Sequence, residues 1–212
     1  MVTAPAARRL TGRVIRLDPM EPCDAPALFA ALDDERVYAS GYGGGPAGRP
    51  PDVAGMEVIV AAALAARARD KRLAYVVRLV ADSTLGAAGT VVGTTSLGDW
   101  DLENERTHIG WTGYGPRWWA SGVNPDCKLL LLGHAFDDCG FGRVKLQTDL
   151  INERSQAAIA RLGATREGVL RRHTRRADGT FRDTVVFSIL CDEWPDARER
   201  LRARLDAVVG GR

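Results

Sequence analysis

Near residue 115 the hydrophobic pattern of this sequence passes from consecutive strands to alternating helices and strands, and that change confines the fold. Upstream, residues 74–80, 89–97 and 106–114 are short strand-like runs divided by turn-rich segments, the spacing of an antiparallel meander. Downstream, Leu129, Leu130, Leu132, Ala135 and Phe136 recur with a helical period across residues 124–139. Residues 144–148 then return to a strand, 153–162 to a helix closed by Gly163, and 164–170 and 181–190 to two strands joined by a basic turn containing Asp178-Gly179. Ahead of the meander lie a strand at 13–17, a short helix at 25–32, a Gly/Pro-rich loop at 41–51 and an Ala-rich helix at 53–69. A chain that lays down strands and then alternates strand with helix builds a mixed sheet covered by helices. The expected fold class is therefore α/β (α+β by stricter usage), with about seven strands. It is expected as a single domain over residues 1–195, followed by a charged helical tail at 196–212.

Composition excludes several function classes. The 212 residues carry 29 Lys and Arg against 27 Asp and Glu, a net charge of +2, so no basic surface for nucleic acid is expected. Cys23, Cys127, Cys139 and Cys191 have neither Cys-x-x-Cys spacing nor a His at zinc-ligand spacing, which predicts reduced thiols and no zinc site. No apolar run reaches bilayer length and the first ten residues lack the apolar core of a signal peptide, so a cytoplasmic protein without membrane contact is expected. Neither Gly-x-Ser-x-Gly nor His-Glu-x-x-His occurs.

The turn feeding the second helix is the first candidate site. Residues 119–128 read Trp-Ala-Ser-Gly-Val-Asn-Pro-Asp-Cys-Lys. Asn124 is a favoured N-cap, Pro125 suits the first helical position, and Asp126 suits the positive end of the helix dipole. Such a turn either simply caps a helix or offers backbone N–H groups to an anion, with Gly122 permitting close approach.

In order along the chain, His108-Ile109-Gly110-Trp111-Thr112, the segment Ser121 to Phe136, the segment Thr148 to Ala164, Glu167 to Arg171 and Asp183 to Ser188 resemble the RimJ/RimL-like branch of the GCN5-related (GNAT) acetyltransferases. The resemblance spans about residues 70–195. It implies the GNAT fold, a mostly antiparallel sheet with helices on both faces. It also implies a V-shaped opening between strands 106–114 and 143–148 that receives the pantetheine arm of acetyl-CoA or another acyl thioester as co-substrate, with no prosthetic group. On that resemblance Trp119, Ala120, Ser121, Gly122, Val123 and Asn124 carry donors for the pyrophosphate. Asn152 faces the pantetheine arm beside Arg154, and Ser155 lies near the thioester sulfur as acid for the leaving thiolate. A homodimer is a family habit.

The sequence departs from the family pattern where chemistry is expected. An indole stands at Trp119 in a loop without its own cation, and Asp126 would repel a pyrophosphate close to it. His108 and Thr174 occupy the two positions where relatives carry a Glu. His108 is the leading general base, since imidazole titrates near working pH; it reads equally as a core histidine. Asp99 and His173 are further candidates, and His134 reads as structural. Tyr42, Trp100, Trp111 and Tyr114 are expected to wall an acceptor pocket or to serve as packing. The acceptor is expected to be a small-molecule amine, in specialised metabolism such as antibiotic biosynthesis. The alternatives are a protein N-terminus or an inactive acyl-CoA-binding role. Arg171, Arg172, Arg175 and Arg176 could meet an acidic acyl carrier protein presenting the same arm, contact the 3′-phosphate of CoA, or form a solvated hairpin tip.

Overall fold

The computed structural model describes residues 1–69 and 72–210, so the last two residues of the expected 196–212 tail lie outside it. The strands are β1 (Leu10–Thr11), β2 (Ile15–Pro19), β3 (Leu73–Leu79), β4 (Val91–Asp101), β5 (Arg106–Tyr114), β6 (Arg143–Asp149), β7 (Thr165–Arg175) and β8 (Phe181–Leu190). They form one eight-stranded sheet in the order β1-β2-β3-β4-β5-β6-β8-β7. Every neighbouring pair is antiparallel except β5 and β6. The strand beyond the expected seven is β1, whose two residues pair with Leu17 and Arg16 and are too few to show a period. The helices are α1 (Ala25–Leu32), α2 (Glu35–Tyr38), α3 (Val53–Arg69), α4 (Val123–Gly133), α5 (Glu153–Ala160) and α6 (Trp194–Gly210).

Alternation along β4 and β5 assigns the two faces. Thr94 pairs with Gly113, and their face is covered by the α1–α3 segment; Thr95 points the other way, to Thr112 and the side chain of Lys128 in α4. Trp194, Ala197, Leu201 and Leu205 of α6 are buried where that helix packs on α4. A π-helical turn, His134–Asp138, extends α4, and His134 there takes the structural place expected of it, 2.8 Å from Asp138.

Two sequence expectations fail at the start of α4. The helix begins at Val123 with Gly122 as its N-cap, so Asn124 and Pro125 sit inside the first turn. The space a Gly122 side chain would take is filled by Leu205 and Val14, each 3.2 Å from an ideal Cβ, so the small residue lets α6 pack on the loop. Asp126 is also not poised to repel an anion. It is buried and accepts from the backbone N–H groups of Val14 (2.7 Å) and Ile15 (3.0 Å), tying α4 to the start of β2.

The basic segment is likewise not a turn. β7 runs on to Arg175, and register shifts between Leu170 and Thr174 absorb the extra length.

Because Asp126 is the acceptor for two strand N–H groups, Asp126→Ala should cost about 2–4 kcal/mol of stability, one desolvated donor after another. Urea denaturation of wild type and variant measures this; a loss below about 0.5 kcal/mol would show that water replaces the carboxylate freely.

Candidate active site

β5 and β6 are paired over only three positions, Arg106 with Arg143, Thr107 with Val144 and His108 with Lys145. β5 continues to Tyr114 and β6 to Asp149 with no further pairing between them. The cause lies in β5. Two steps on β4, from Ser96 to Thr94, face three on β5, from Gly110 to Gly113, and Trp111 takes the extra step at φ +50°. A bulge of this kind bends its strand and frees its edge. β6 stays straight because β8 pairs along all of it.

His108 is the last paired residue before the strands part, and it is 2% exposed. An ideal Cβ on Gly110 would stand 2.5 Å from its Cε1, so glycine is required for the ring to lie there. Trp111 covers the ring at a centroid distance of 4.9 Å. Asp99 Oδ2 lies 3.3 Å from Nδ1, an ion-pair distance, but off the direction of the ring N–H. Neither ring nitrogen therefore has a formed hydrogen bond, although both are buried. Burial holds the imidazole pKa below its ordinary value, against the opposing pull of Asp99. Asp99 itself is lowered to about 2, chiefly by the His108 ring and also by Lys145, whose Nζ is 3.3 Å away.

On the far side of the opening, Asn152 accepts from the Ser155 N–H at 2.9 Å and caps α5. Its side-chain oxygen is thereby used, which the sequence did not reveal. Ser155 is half-buried in the first turn of α5, beside the β6 end. Arg154 reaches back over the Trp119 ring at 3.4 Å from its centroid, and the Trp119 indole N–H donates to Tyr114 O. The contact joins the two sides where the strands are apart. It also brings to the 119–124 loop the cation that the loop's own sequence lacks. In that loop Ala120 is at φ +55° and Ser121 Oγ donates to Trp118 O at 2.6 Å. Val123 N–H donates to Ser121 Oγ at 3.3 Å, so Ser121 acts locally as a cap, and Asn124 sits half-buried in the first helical turn.

A cavity of about 150 Å³ opens on the His108 face of the sheet, lined chiefly by Met20, Leu28, Tyr38, Tyr42, Met56 and Thr94. Tyr42 lies flat on β5, where an ideal Cβ on Gly113 would meet its ring at 2.7 Å. Of the four expected pocket aromatics, Tyr42 alone lines this cavity. Trp111 meets His108 with its ring tilted by 51°, and the Arg72 guanidinium stands over the indole at 4.5 Å. Trp100 packs on the core near the end of β4, and Tyr114 is buried on the opposite face near Cys127. A larger open groove of about 500 Å³ between α4, α6 and Gly12 shares no residue with this constellation.

The arginines at the end of β7 and in the turn after it are not all available to a partner. Arg176 makes two hydrogen bonds of 3.0 Å to the buried Asp149 and also donates to Phe181 O, while Arg172 and Arg175 stand over the Phe181 ring. Ala177 N–H donates to Gly44 O, closing the β7–β8 tip onto the 41–45 loop beside the cavity. His173 bonds to Thr184 at 3.0 Å, away from His108. Among the described residues no cluster of His, Cys, Asp and Glu could hold a metal ion, and no helix is long and apolar enough to cross a membrane.

The chain resembles known proteins in both sequence and fold. The family model described as an acetyltransferase (GNAT) domain matches residues 15–165. A T. thermophilus protein assigned as an acetyltransferase is 34% identical, with 93% of this chain and 97% of that one covered at a TM-score of 0.80. A GCN5-related N-acetyltransferase from Brucella melitensis is 27% identical, covering 96% and 88% at 0.82. Mycobacterium smegmatis RimJ, in complex with CoA-disulfide, shares the fold at 22% identity, covering 95% and 97% at 0.75. No curated protein sequence matches the chain. With a domain match over most of its length and a relative of this identity along nearly all of it, the chain belongs to the GNAT acetyltransferase family and is an acyltransferase.

Proposed function

We propose that the protein transfers an acetyl or other acyl group from acyl-CoA to the amine of a small molecule, with His108 as general base. The observation that carries this reading is the imidazole itself. It is buried, flanked by Asp99, and without a hydrogen-bond partner at the point where β5 and β6 part. A buried imidazole whose ring nitrogens have only the 3.3 Å ion-pair contact to Asp99 costs stability and calls for a functional reason.

The chemistry follows from that placement. A neutral amine attacks the thioester carbonyl carbon, the C–N bond forms, and the carbonyl π pair moves to oxygen. His108 takes the proton the nitrogen sheds, with Asp99 favouring the resulting imidazolium. The oxygen pair then re-forms the carbonyl, the C–S bond breaks, and the thiolate leaves within reach of α5, where Ser155 is placed to give it a hydrogen bond. The stacked Arg154 and Trp119, with the 119–124 backbone, meet the diphosphate of CoA. The Arg176–Asp149 pair leaves less of the basic strand for a carrier protein, which favours CoA as donor. The apolar cavity behind Tyr42 suits a small amine better than a polypeptide terminus.

Three outcomes are expected. His108→Gln should lower kcat by about 10²–10⁴, the usual worth of a positioned base, in a thiol-release assay with acetyl-CoA and an amine panel. A loss under threefold on every accepted amine would remove His108 from the mechanism. Because burial lowers the His108 pKa, kcat/KM should show a limb below about 6.5 from His108, separate from the rise at higher pH as the amine loses its proton. Asp99→Asn removes the charge that raises that pKa, so the limb should move to still lower pH; movement the other way contradicts the pairing. Arg154→Ala should raise the acetyl-CoA Kd about tenfold, one charge-assisted contact of about 1.4 kcal/mol, and calorimetry that finds the Kd unchanged would exclude Arg154 from the donor site.

A further inference from the structure

Lys128 is 6% exposed in α4, and no carboxylate among the described residues is within ion-pair distance of its ammonium. The buried acid of the same helix, Asp126, is turned to the β2 backbone instead. Lys128 Nζ has Thr112 Oγ1 at 3.3 Å as its hydrogen-bond partner. That hydroxyl belongs to the β5 bulge, lies 2.8 Å from Thr95 Oγ1 and can donate to Gly110 O at 3.3 Å. The ammonium is thus anchored beneath the bulge, across the sheet from His108, at the step where β5 leaves β6.

Burial lowers the Lys128 pKa from its ordinary value, with Cys127 opposing, so keeping the side chain as an ammonium there without a counter-ion costs several kcal/mol in a low-dielectric interior. A methionine of similar length would fill the site at less cost. A charge kept against stability needs a use, and the acyl-transfer site is directly above it.

We propose that Lys128 is a positioning residue for acyl transfer, its buried ammonium holding Thr112 under the β5 bulge and favouring the negative charge that develops between β5 and β6 during the reaction. The inference rests on the reading of His108 as base in that opening. When the amine attacks, a pair moves to the carbonyl oxygen; on collapse the same charge passes to the thiolate sulfur. A fixed cation beneath the opening favours both states, and does so more strongly in a dry interior than in water. The charged groups facing His108 are Asp99 from β4, Lys145 from β6 and Lys128 from α4; Cys127 is the titratable neighbour of Lys128.

The test compares Lys128→Met, Lys128→Arg and His108→Gln as full-length proteins, with acetyl-CoA and the best amine from the panel. Lys128→Met should lower kcat about tenfold or more, below the 10²–10³ of a directly touching oxyanion donor. Its KM for acetyl-CoA should change less than threefold and its Tm should stay level or rise. The acid limb of kcat/KM should shift to higher pH, because removing a neighbouring cation raises the His108 pKa. Lys128→Arg should recover most of the rate. An unchanged kcat, an unmoved limb, or a Met variant that does not fold would each overturn the proposal, the last by making the ammonium a structural requirement. If His108→Gln retains both the rate and the limb, the base reading itself falls; if only Lys128→Met is silent, the inference about Lys128 falls alone.

Discussion

The parting of β5 from β6 governs this structure. Two parallel strands with three paired positions each leave a row of backbone donors and acceptors without strand partners. The sheet tolerates this because each strand is held from its other side. β4 pairs with β5 on both sides of the bulge, and β8 pairs with β6 along its whole length. The opening is thus held within the pairing of the sheet itself. In a family that uses acyl-CoA, exposed backbone of this kind is what an extended thioester arm can complete, as an added strand does at a sheet edge.

Glycine and aromatic residues then adjust one another along β5. Gly110 makes room for the His108 ring, and Gly113 for Tyr42. Trp111, pushed outward by the bulge, roofs His108 and is itself covered by Arg72. The result is a strand whose backbone is opened on one edge while its face holds a dry imidazole. The helix behind it carries two buried ionisable side chains with separate contacts: Asp126 fastens α4 to β2, and Lys128 donates to Thr112 in the bulge.

Much of the architecture was legible in the sequence. α1, α3 and β5 fall on the expected residues because strong periodicity and Gly/Pro punctuation bound them. The start of α4 was misread because Asn124-Pro125 has the local chemistry of a helix start, while Ser121 supplies the nearby hydroxyl and α6 packs on Gly122. The end of β7 was misread because Arg-rich residues look like a turn until Phe181 across the hairpin gives their guanidinium groups a surface. The resemblance named Arg154 but not the indole it covers, about 35 positions earlier in the chain, and Lys128, within an apolar helix, carried no sequence signal beyond being basic.

By itself the sequence determined the element order, the strand–helix–strand step from β5 to β6, and His108 as the residue standing where a carboxylate was expected. Those follow from local periodicity and from residue identity at positions next to a recognisable motif. Only the tertiary structure decided which charges face the opening, because that depends on distances between residues far apart in the chain. It turned Asp126 away to the β2 backbone, joined Arg176 to Asp149, set Arg154 on Trp119 and left His108 and Lys128 buried on opposite faces of one strand. Burial and pairing set the charge state of each group, and neither is a property of the residue alone.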